Sequence, residues 1–306
     1  MRLFKYMGLD MRALSDLHLR ISSRDCLNDP FEFLPTTSAV KRKVEIMQSL
    51  DQFQYERLDS QFNVDYMEEL DTDLLKYGVV CLSENGNNNL MWSHYADEHK
   101  GVMIELESEN LFRFSPEQKK VMDNDFSAAS IKPKPVNYDV KRAGLDISEE
   151  CLYEYANSNF IERFFTMKGY EWKCEQEWRY IFKFLHADKV IVNTPEEQVE
   201  SISNELIRCK VPFDLESNTF IVNAGDNDFN MIMVDVISKN NDLSPVYLKS
   251  VNPRCIKAIY FGCRVEESVA REKKDTLIRT NKAYGQVIFK KIDLDEESYQ
   301  LRQTIL

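Results

Sequence analysis

The sequence has few of the residues that build metal centres or cross-links. Four histidines are scattered along 306 residues, and no two of the seven cysteines form a Cys-x-x-Cys pair. Zinc sites usually take ligands from such pairs, and an odd number of cysteines does not suit a disulfide framework. The N-terminal Met1-Arg-Leu-Phe4 does not begin a signal peptide. We therefore expect reduced thiols, a cytoplasmic location and no metal site.

Long apolar runs and a basic charge balance are also missing. No apolar stretch approaches the roughly 20 residues of a membrane-spanning helix, so no membrane partner is expected. The net charge is −12, and 29% of the residues are charged. Broad binding to nucleic acid or to an anionic membrane needs a basic surface. The charge balance argues against both, although it does not exclude a local basic groove.

Apolar and aromatic residues are abundant. Hydrophobic residues make up 43% of the chain, which includes 18 Phe and 14 Tyr, so a disordered protein is excluded. A chain of this length buries a sizeable core. We find no internal repeat, no low-complexity segment and no clear linker. The sequence therefore predicts a single domain over 1–306, with a helical insertion at about 41–76 and a region of uncertain pattern at 209–250.

Residues 171–183 alternate between two kinds of side chain. Even positions are mostly aromatic and odd positions are mostly charged. A period of two predicts a half-buried strand. Glu175, Glu177 and Arg179 would then lie together on the charged face. Such a group suits catalysis or the binding of a polar ligand, and equally suits a solvated face of ion pairs.

Other segments predict an α+β fold, with a mixed, mainly antiparallel sheet and flanking helices. The clearest unit is strand–helix–strand over 78–107, in which an Asn-rich loop caps the helix at 90–99. Further strands are predicted at 2–6, 19–22, 136–138, 219–222, 231–237, 254–262 and 286–291. Further helices are predicted at 11–17, 149–168, 195–208 and 265–281.

Short motifs are spread along the chain. They are Asn28-Asp-Pro-Phe-Glu32, Cys81-Leu-Ser83, Met91-Trp-Ser-His-Tyr-Ala96, Lys168, Glu175-x-Glu-Trp-Arg179 and Ile259-Tyr-Phe-Gly262. In this order the series resembles a widespread bacterial family, Domain of Unknown Function 2971. The family's name assigns no activity, so the function has to be argued from the site.

The order of the elements is also similar to that of ADP-ribosyltransferase folds, although the chain lacks their His-Tyr-Thr and Ser-Thr-Ser sequences. This resemblance implies an NAD-dependent ADP-ribosyltransferase, such as a toxin or phage-defence effector. NAD would be its substrate, and a protein or nucleic acid its acceptor. Glu177 would face the ribose and Glu175 the acceptor nucleophile. The residues implied around NAD are Tyr6, Ser83, Trp92, His94, Tyr95, Lys168 and Arg179.

Most of these residues also have ordinary structural interpretations. Trp92 and Tyr95 suit the core of a short helix, and His94 suits a structural hydrogen bond. Arg179 suits an ion pair with a nearby carboxylate.

The residues around Pro30 can also be interpreted either as structural or as part of a functional site. The residue before a proline is disfavoured in helical backbone, so Asn28 and Asp29 predict a turn. Asn28, Asp29 and Glu32 would then serve turn formation and helix capping, or they would belong to the site.

Two other functions stay open. Asp29, Glu32, Glu175 and Glu177 would hold Mg²⁺ in a nuclease-like effector, or the chain would be a non-enzymatic binding or regulatory protein of a defence or stress locus. Acidic residues clustered without a lysine would favour the nuclease, and scattered motif residues would favour the binding protein. An aromatic-lined cleft would favour NAD. A shared site requires three groups to line one pocket: Asn28 or Glu32, His94 or Tyr95, and Glu175 or Glu177.

Overall fold

Strands make up much of the part of the chain that the structure describes. The computed structural model describes residues 1–10, 12–38, 41, 74–114, 132–142, 158–223 and 243–306. In chain order the strands are β1 (Arg2–Met7), β2 (His18–Ile21), β3 (Tyr77–Ser83), β4 (Val102–Glu107), β5 (Lys134–Pro135), β6 (Asn137–Asp139), β7 (Met167–Gly169), β8 (Glu177–Lys183), β9 (Lys189–Asn193), β10 (Asp214–Glu216), β11 (Thr219–Asn223), β12 (Ser244–Ser250), β13 (Ile256–Phe261), β14 (Ile288–Leu294) and β15 (Leu301–Ile305). The α-helices are α1 (Arg12–Ser15), α2 (Asn89–Tyr95), α3 (Ser158–Phe165), α4 (Val199–Arg208) and α5 (Glu267–Thr280). Among the described helices, none is long and apolar enough to span a membrane.

The strands form one sheet of eight, one of five and a separate pair. The large sheet has the order β15-β14-β13-β4-β1-β3-β8-β5, and the second has the order β10-β11-β9-β12-β2. Most pairs of described strands are antiparallel. The exceptions are β6 with β7, and β13 with β14, which α5 connects as a crossover helix. The predicted α+β class with mixed, mainly antiparallel sheets is therefore confirmed.

The two larger sheets meet where β2 ends and β3 begins. Ser22 and Val79 exchange backbone hydrogen bonds of 2.8 and 2.9 Å. Gly78 lies beside this crossing, where a Cβ atom would be 2.7 Å from the ring of Phe184 and 2.7 Å from the carbonyl oxygen of Ser22. The close approach of backbone therefore requires a residue without a side chain. Side chains from both sheets share one hydrophobic core.

The predicted strand–helix–strand unit is present as β3, α2 and β4, with β1 inserted between the two strands. Asn88 caps α2 by accepting hydrogen bonds from two backbone N–H groups of the first turn. The helix ends at Tyr95, before the predicted end at 99. Asp97, Glu98 and His99 have φ angles of 46°, 51° and 69°, and left-handed backbone cannot continue a right-handed helix.

The predicted strand over 171–183 is correct only for its second half. Tyr170–Glu175 forms a 3-10 helix, Gln176 has a left-handed φ of 46°, and β8 begins at Glu177. The alternation before Gln176 therefore does not mark a pleated face. β8 lies between β3 and β5 and is buried on both faces. The prediction that Glu175 and Glu177 lie on a polar strand face is wrong.

Several other predictions can be compared directly. Six of the predicted strands lie close to observed ones. In chain order these are 2–6 (β1), 19–22 (β2), 136–138 (β6), 219–222 (β11), 254–262 (β13) and 286–291 (β14). The helix predicted over 149–168 is described only from Ser158 and ends at Phe165, where β7 soon follows. The insertion at 41–76 lies almost entirely outside the described residues, as do the strand predicted at 231–237 and part of 209–250. The single domain stays a prediction.

Candidate active site

Five charged side chains meet in the interior beside β8. One follows Pro30, one lies on β7, one ends the 3-10 helix and two lie on β8. Their exposed side-chain fractions range from 0 to 6%. Charged groups of this kind are rarely buried unless they are paired. We call these residues the charged cluster: Glu32, Lys168, Glu175, Glu177 and Arg179.

Arg179 joins two of the carboxylates. Its Nε and Nη2 donate hydrogen bonds of 2.9 and 2.7 Å to the two carboxylate oxygens of Glu177. Nη2 also donates to Oε2 of Glu32 at 2.5 Å, and Nη1 donates to the carbonyl oxygen of Phe165 at 3.0 Å. The planar guanidinium thereby fixes both carboxylates in position.

Lys168 contacts all three carboxylates of the cluster. Its Nζ lies 2.6 Å from Oε2 of Glu175, 3.1 Å from Oε1 of Glu32 and 3.4 Å from Oε2 of Glu177. The cluster thus contains three carboxylates against two cations. When all five groups are ionised, it carries one negative charge in excess.

The two cations determine the protonation of Glu177. Burial acts to raise the pKa of Glu177, but Arg179 and Lys168 outweigh burial and lower this pKa to about 2. Glu177 is therefore ionised at neutral pH. Against the effect of burial, Glu177 and Glu32 raise the pKa of Lys168, which keeps its charge. Burial raises the pKa of Glu32 despite the same two cations.

Uncharged groups hold Glu175 from the other side. The Tyr95 hydroxyl donates a hydrogen bond to Oε1 of Glu175, and the side chain of Asn28 is also hydrogen-bonded to Tyr95. The hydroxyl of Ser83 donates to the backbone carbonyl oxygen of Glu175 at 2.6 Å. Burial and the hydrogen bond to Glu175 raise the pKa of Tyr95, so its hydroxyl stays protonated. Glu175 is therefore fixed through both its side chain and its backbone.

A small cavity of about 190 Å³ lies against the charged cluster. All five members of the cluster line it, together with the aromatic rings of Phe4, Tyr6 and Tyr95. Lys5 also lines the cavity, and its Nζ donates to the carbonyl oxygen of Cys81 at 3.1 Å. Aromatic rings beside a few polar groups are typical of sites for small molecules.

Most of the predicted site residues line this small cavity, and three do not. Trp92 is fully buried and packs edge-to-face on Tyr6 at 5.3 Å between ring centres. His94 is exposed on α2. Asp29 is buried in its turn, where Oδ1 accepts from the backbone N–H of Phe31 at 2.9 Å. These positions do not support contacts of Trp92 and His94 with NAD. The residues that do line the cavity are Tyr6, Asn28, Glu32, Ser83, Tyr95, Lys168, Glu175, Glu177 and Arg179.

The sequence analysis missed two neighbours of Glu177. The hydroxyl of Tyr138 accepts a hydrogen bond of 2.8 Å from the backbone N–H of Glu177. The thiol of Cys81 is hydrogen-bonded to the Glu177 side chain. Cys81 belongs to one of the motifs, which could have suggested a role. Tyr138 follows an extended Pro-rich connector, and no local signal marks it.

Much of the site falls within one stretch that matches a known family. Residues 91–180 match the family described as "Protein of unknown function (DUF2971)". This stretch resembles that family. The DUF2971 stretch includes Tyr95 and every member of the charged cluster except Glu32. No curated protein and no solved structure matches the chain, so the likeness to ADP-ribosyltransferase folds stays a prediction.

Proposed function

We propose that this protein cleaves the nicotinamide glycosidic bond of NAD and transfers ADP-ribose to an acceptor. The observation that carries the proposal is Glu177, an ionised and buried carboxylate in the wall of a small, aromatic cavity. Cleavage of this bond develops positive charge on the ribose, and a fixed carboxylate stabilises such a charge.

The lining and the volume of the small cavity suit a planar ring at one end of the substrate. Phe4, Tyr6 and Tyr95 provide aromatic surface on which a planar ring packs. At about 190 Å³ the cavity is smaller than a typical ligand site of roughly 300–1,000 Å³. It therefore suits nicotinamide and part of its ribose better than a whole dinucleotide.

The reaction requires the bond between the ribose carbon and the nicotinamide nitrogen to break. Both electrons of this bond go to the ring nitrogen, and neutral nicotinamide leaves. The ribose gains oxocarbenium character next to Glu177, in a cluster with one carboxylate in excess. In transfer, a hydroxyl of the acceptor then attacks the ribose carbon and gives its proton to Glu175, which acts as general base. In hydrolysis, water attacks instead and releases its proton to solvent, so this reaction does not need Glu175.

Lys168 and Arg179 are positioning residues in this proposal. The resemblance to ADP-ribosyltransferase folds implied that both would contact NAD itself. In the structure both are buried and contact the carboxylates of the cluster. They fix the orientation of Glu175 and Glu177 and keep Glu177 ionised.

The two alternative functions have weaker support. A nuclease would use carboxylate oxygens to bind Mg²⁺, whereas every carboxylate of the cluster contacts Lys168, and Asp29 does not line the small cavity. A non-enzymatic binding protein would leave the motif residues scattered. Asn28, Tyr95 and Glu177 instead line the same cavity.

The proposal predicts that the purified protein releases nicotinamide from NAD. Glu177→Gln removes the charge beside the ribose, so release should fall about 100-fold or more. Glu175→Gln should keep hydrolysis of NAD and lose transfer to the acceptor. Glu98→Gln is the matched control, because the Glu98 side chain is 69% exposed on the surface.

Folding has to be checked in the same experiment. Gln at position 177 would turn an amide N–H₂ toward one donor of Arg179, so the free energy of unfolding should fall by about 1–3 kcal/mol. The assay is run below the melting temperature of each variant, measured by circular dichroism. Wild-type protein that releases no nicotinamide, or a Glu177→Gln variant as active as Glu98→Gln, contradicts the proposal. Degradation of nucleic acid with Mg²⁺ would support the nuclease instead.

A further inference from the structure

A second cavity of about 490 Å³ adjoins the small one. Glu32 and Lys168 line both cavities and so form a shared wall. The larger cavity falls within the range of roughly 300–1,000 Å³ that is typical of small-molecule sites. It lies between the turn at 29–34, the segment 139–142 and the residues around β7.

The larger cavity combines aromatic rings with exposed cations. Phe31 is 63% exposed, and the guanidinium of Arg142 lies 5.6 Å from the centre of its ring. Nη2 of Arg142 donates to the carbonyl oxygen of Leu34 at 2.7 Å, which occupies one of the five N–H donors of a guanidinium. Lys141 is exposed beside it, and Trp172 lies at the shared wall, with its ring 4.7 Å from Nζ of Lys168.

Most acidic side chains that line this cavity already form hydrogen bonds or ion pairs within the protein. Asp29 accepts from the backbone N–H of Phe31 at 2.9 Å, and Asp139 accepts from the backbone N–H of Lys141 at 3.0 Å. Glu32 belongs to the charged cluster. The exposed cations Lys141 and Arg142 are therefore suited to an anionic ligand group, although Glu171 is also exposed in this cavity.

We infer that the larger cavity binds the adenosine-phosphate half of NAD, while the small cavity holds the nicotinamide half. This inference rests on the proposed function, because it assigns the remainder of the same substrate. Adenine would stack on Phe31 and Arg142, and the phosphates would meet the N–H groups of Arg142 and Lys141. The small cavity is too small for the whole dinucleotide, and the larger cavity adjoins it at Glu32 and Lys168, beside the proposed nicotinamide end.

The test separates the two halves of the substrate. Phe31→Ala and Arg142→Gln should each raise KM for NAD about tenfold and leave kcat nearly unchanged, because they remove binding that is remote from the reacting bond. AMP should bind the wild type, compete with NAD and bind the two variants less well. Inhibition by nicotinamide should be unaffected. Arg264→Gln is the control, because Arg264 is a surface arginine with a 59% exposed side chain.

The outcomes distinguish this inference from the proposed function. If the wild type releases nicotinamide but both variants keep the KM of Arg264→Gln, the adenosine half binds elsewhere and the inference is wrong. If no nicotinamide is released, the proposed function fails, and direct titration with AMP still tests the larger cavity. AMP binding that is lost in Arg142→Gln and kept in Arg264→Gln supports a nucleotide site, whereas the absence of AMP binding overturns it.

Discussion

Removal of the Arg179 guanidinium is the most direct perturbation of the charged cluster. Arg179 is fully buried and donates hydrogen bonds to Glu177 and Glu32. Arg179→Met keeps an unbranched side chain and leaves three buried carboxylates with Lys168 as the remaining cation of the cluster. Breaking a buried ion pair by removing one partner costs about 3–5 kcal/mol. We expect the free energy of unfolding at pH 7 to fall by that amount.

Urea unfolding followed by far-UV circular dichroism measures this change. Arg271→Met is the matched control, because Arg271 pairs with Glu267 at 2.5 Å and both side chains are more than half exposed. Exposed pairs contribute about 0–1 kcal/mol, so the control should unfold almost like the wild type.

The dependence on pH makes the test specific to the buried carboxylates. In the wild type the pKa of Glu177 is lowered from 4.5 to about 2, so the stability from its ionised form is present above pH 4.5 and lost toward pH 2. Without Arg179, Lys168 alone opposes the effect of burial, so we expect the pKa of Glu177 to rise. The variant then regains stability as the pH falls through that raised pKa. The difference in the free energy of unfolding between wild type and variant should therefore become smaller from pH 7 to pH 5. If the variant loses less than about 1 kcal/mol of unfolding free energy at pH 7, or if its difference from the wild type does not change with pH, this reasoning is refuted.

Two further predictions concern the rest of the fold. His186 is fully buried, neither of its ring nitrogens has a hydrogen-bond partner within the described residues, and burial and Lys249 lower its pKa from 6.5 to about 3. A lowered histidine pKa costs stability as the pH falls below 6.5, so about 2 kcal/mol should be lost between pH 7 and pH 5, and His186→Phe should remove this loss in unfolding curves. Gly78→Ala should lower the melting temperature, because its Cβ would lie 2.7 Å from the carbonyl oxygen of Ser22 and overpacking costs about 1–3 kcal/mol. Gly285→Ala should change the melting temperature far less, because the space around the added Cβ is open.

Local patterns predicted the fold class and much of the strand framework. The alternation at 177–183 and the apolar run of β3 are properties of neighbouring residues, and both correspond to interior strands of the large sheet. The 3-10 helix at Tyr170–Glu175 has the same alternation but a different backbone. At the end of this 3-10 helix the chain also contacts a distant segment: the backbone N–H of Glu84 donates a hydrogen bond to the carbonyl oxygen of Gln176.

The burial of the charged cluster could not be predicted from local sequence. Arg179 and Glu32 are 147 residues apart in the chain, and their hydrogen bond depends on how the turn after Pro30 packs against β8. Charges at alternating positions are usually solvated, and only the positions of their partners show that these are buried. The motif residues were predicted to converge on one site. Tyr138 was not predicted, because no sequence signal marks its hydroxyl as a hydrogen-bond partner of Glu177.

The central claim is that the site cleaves the glycosidic bond of NAD. Incubation of the wild-type protein with NAD in water enriched in heavy oxygen, followed by mass spectrometry of the products, tests it most directly. Attack of water at the ribose carbon should give unlabelled nicotinamide and ADP-ribose that carries the heavy oxygen. Unreacted NAD, or cleavage of the pyrophosphate to AMP and nicotinamide mononucleotide, would contradict the claim.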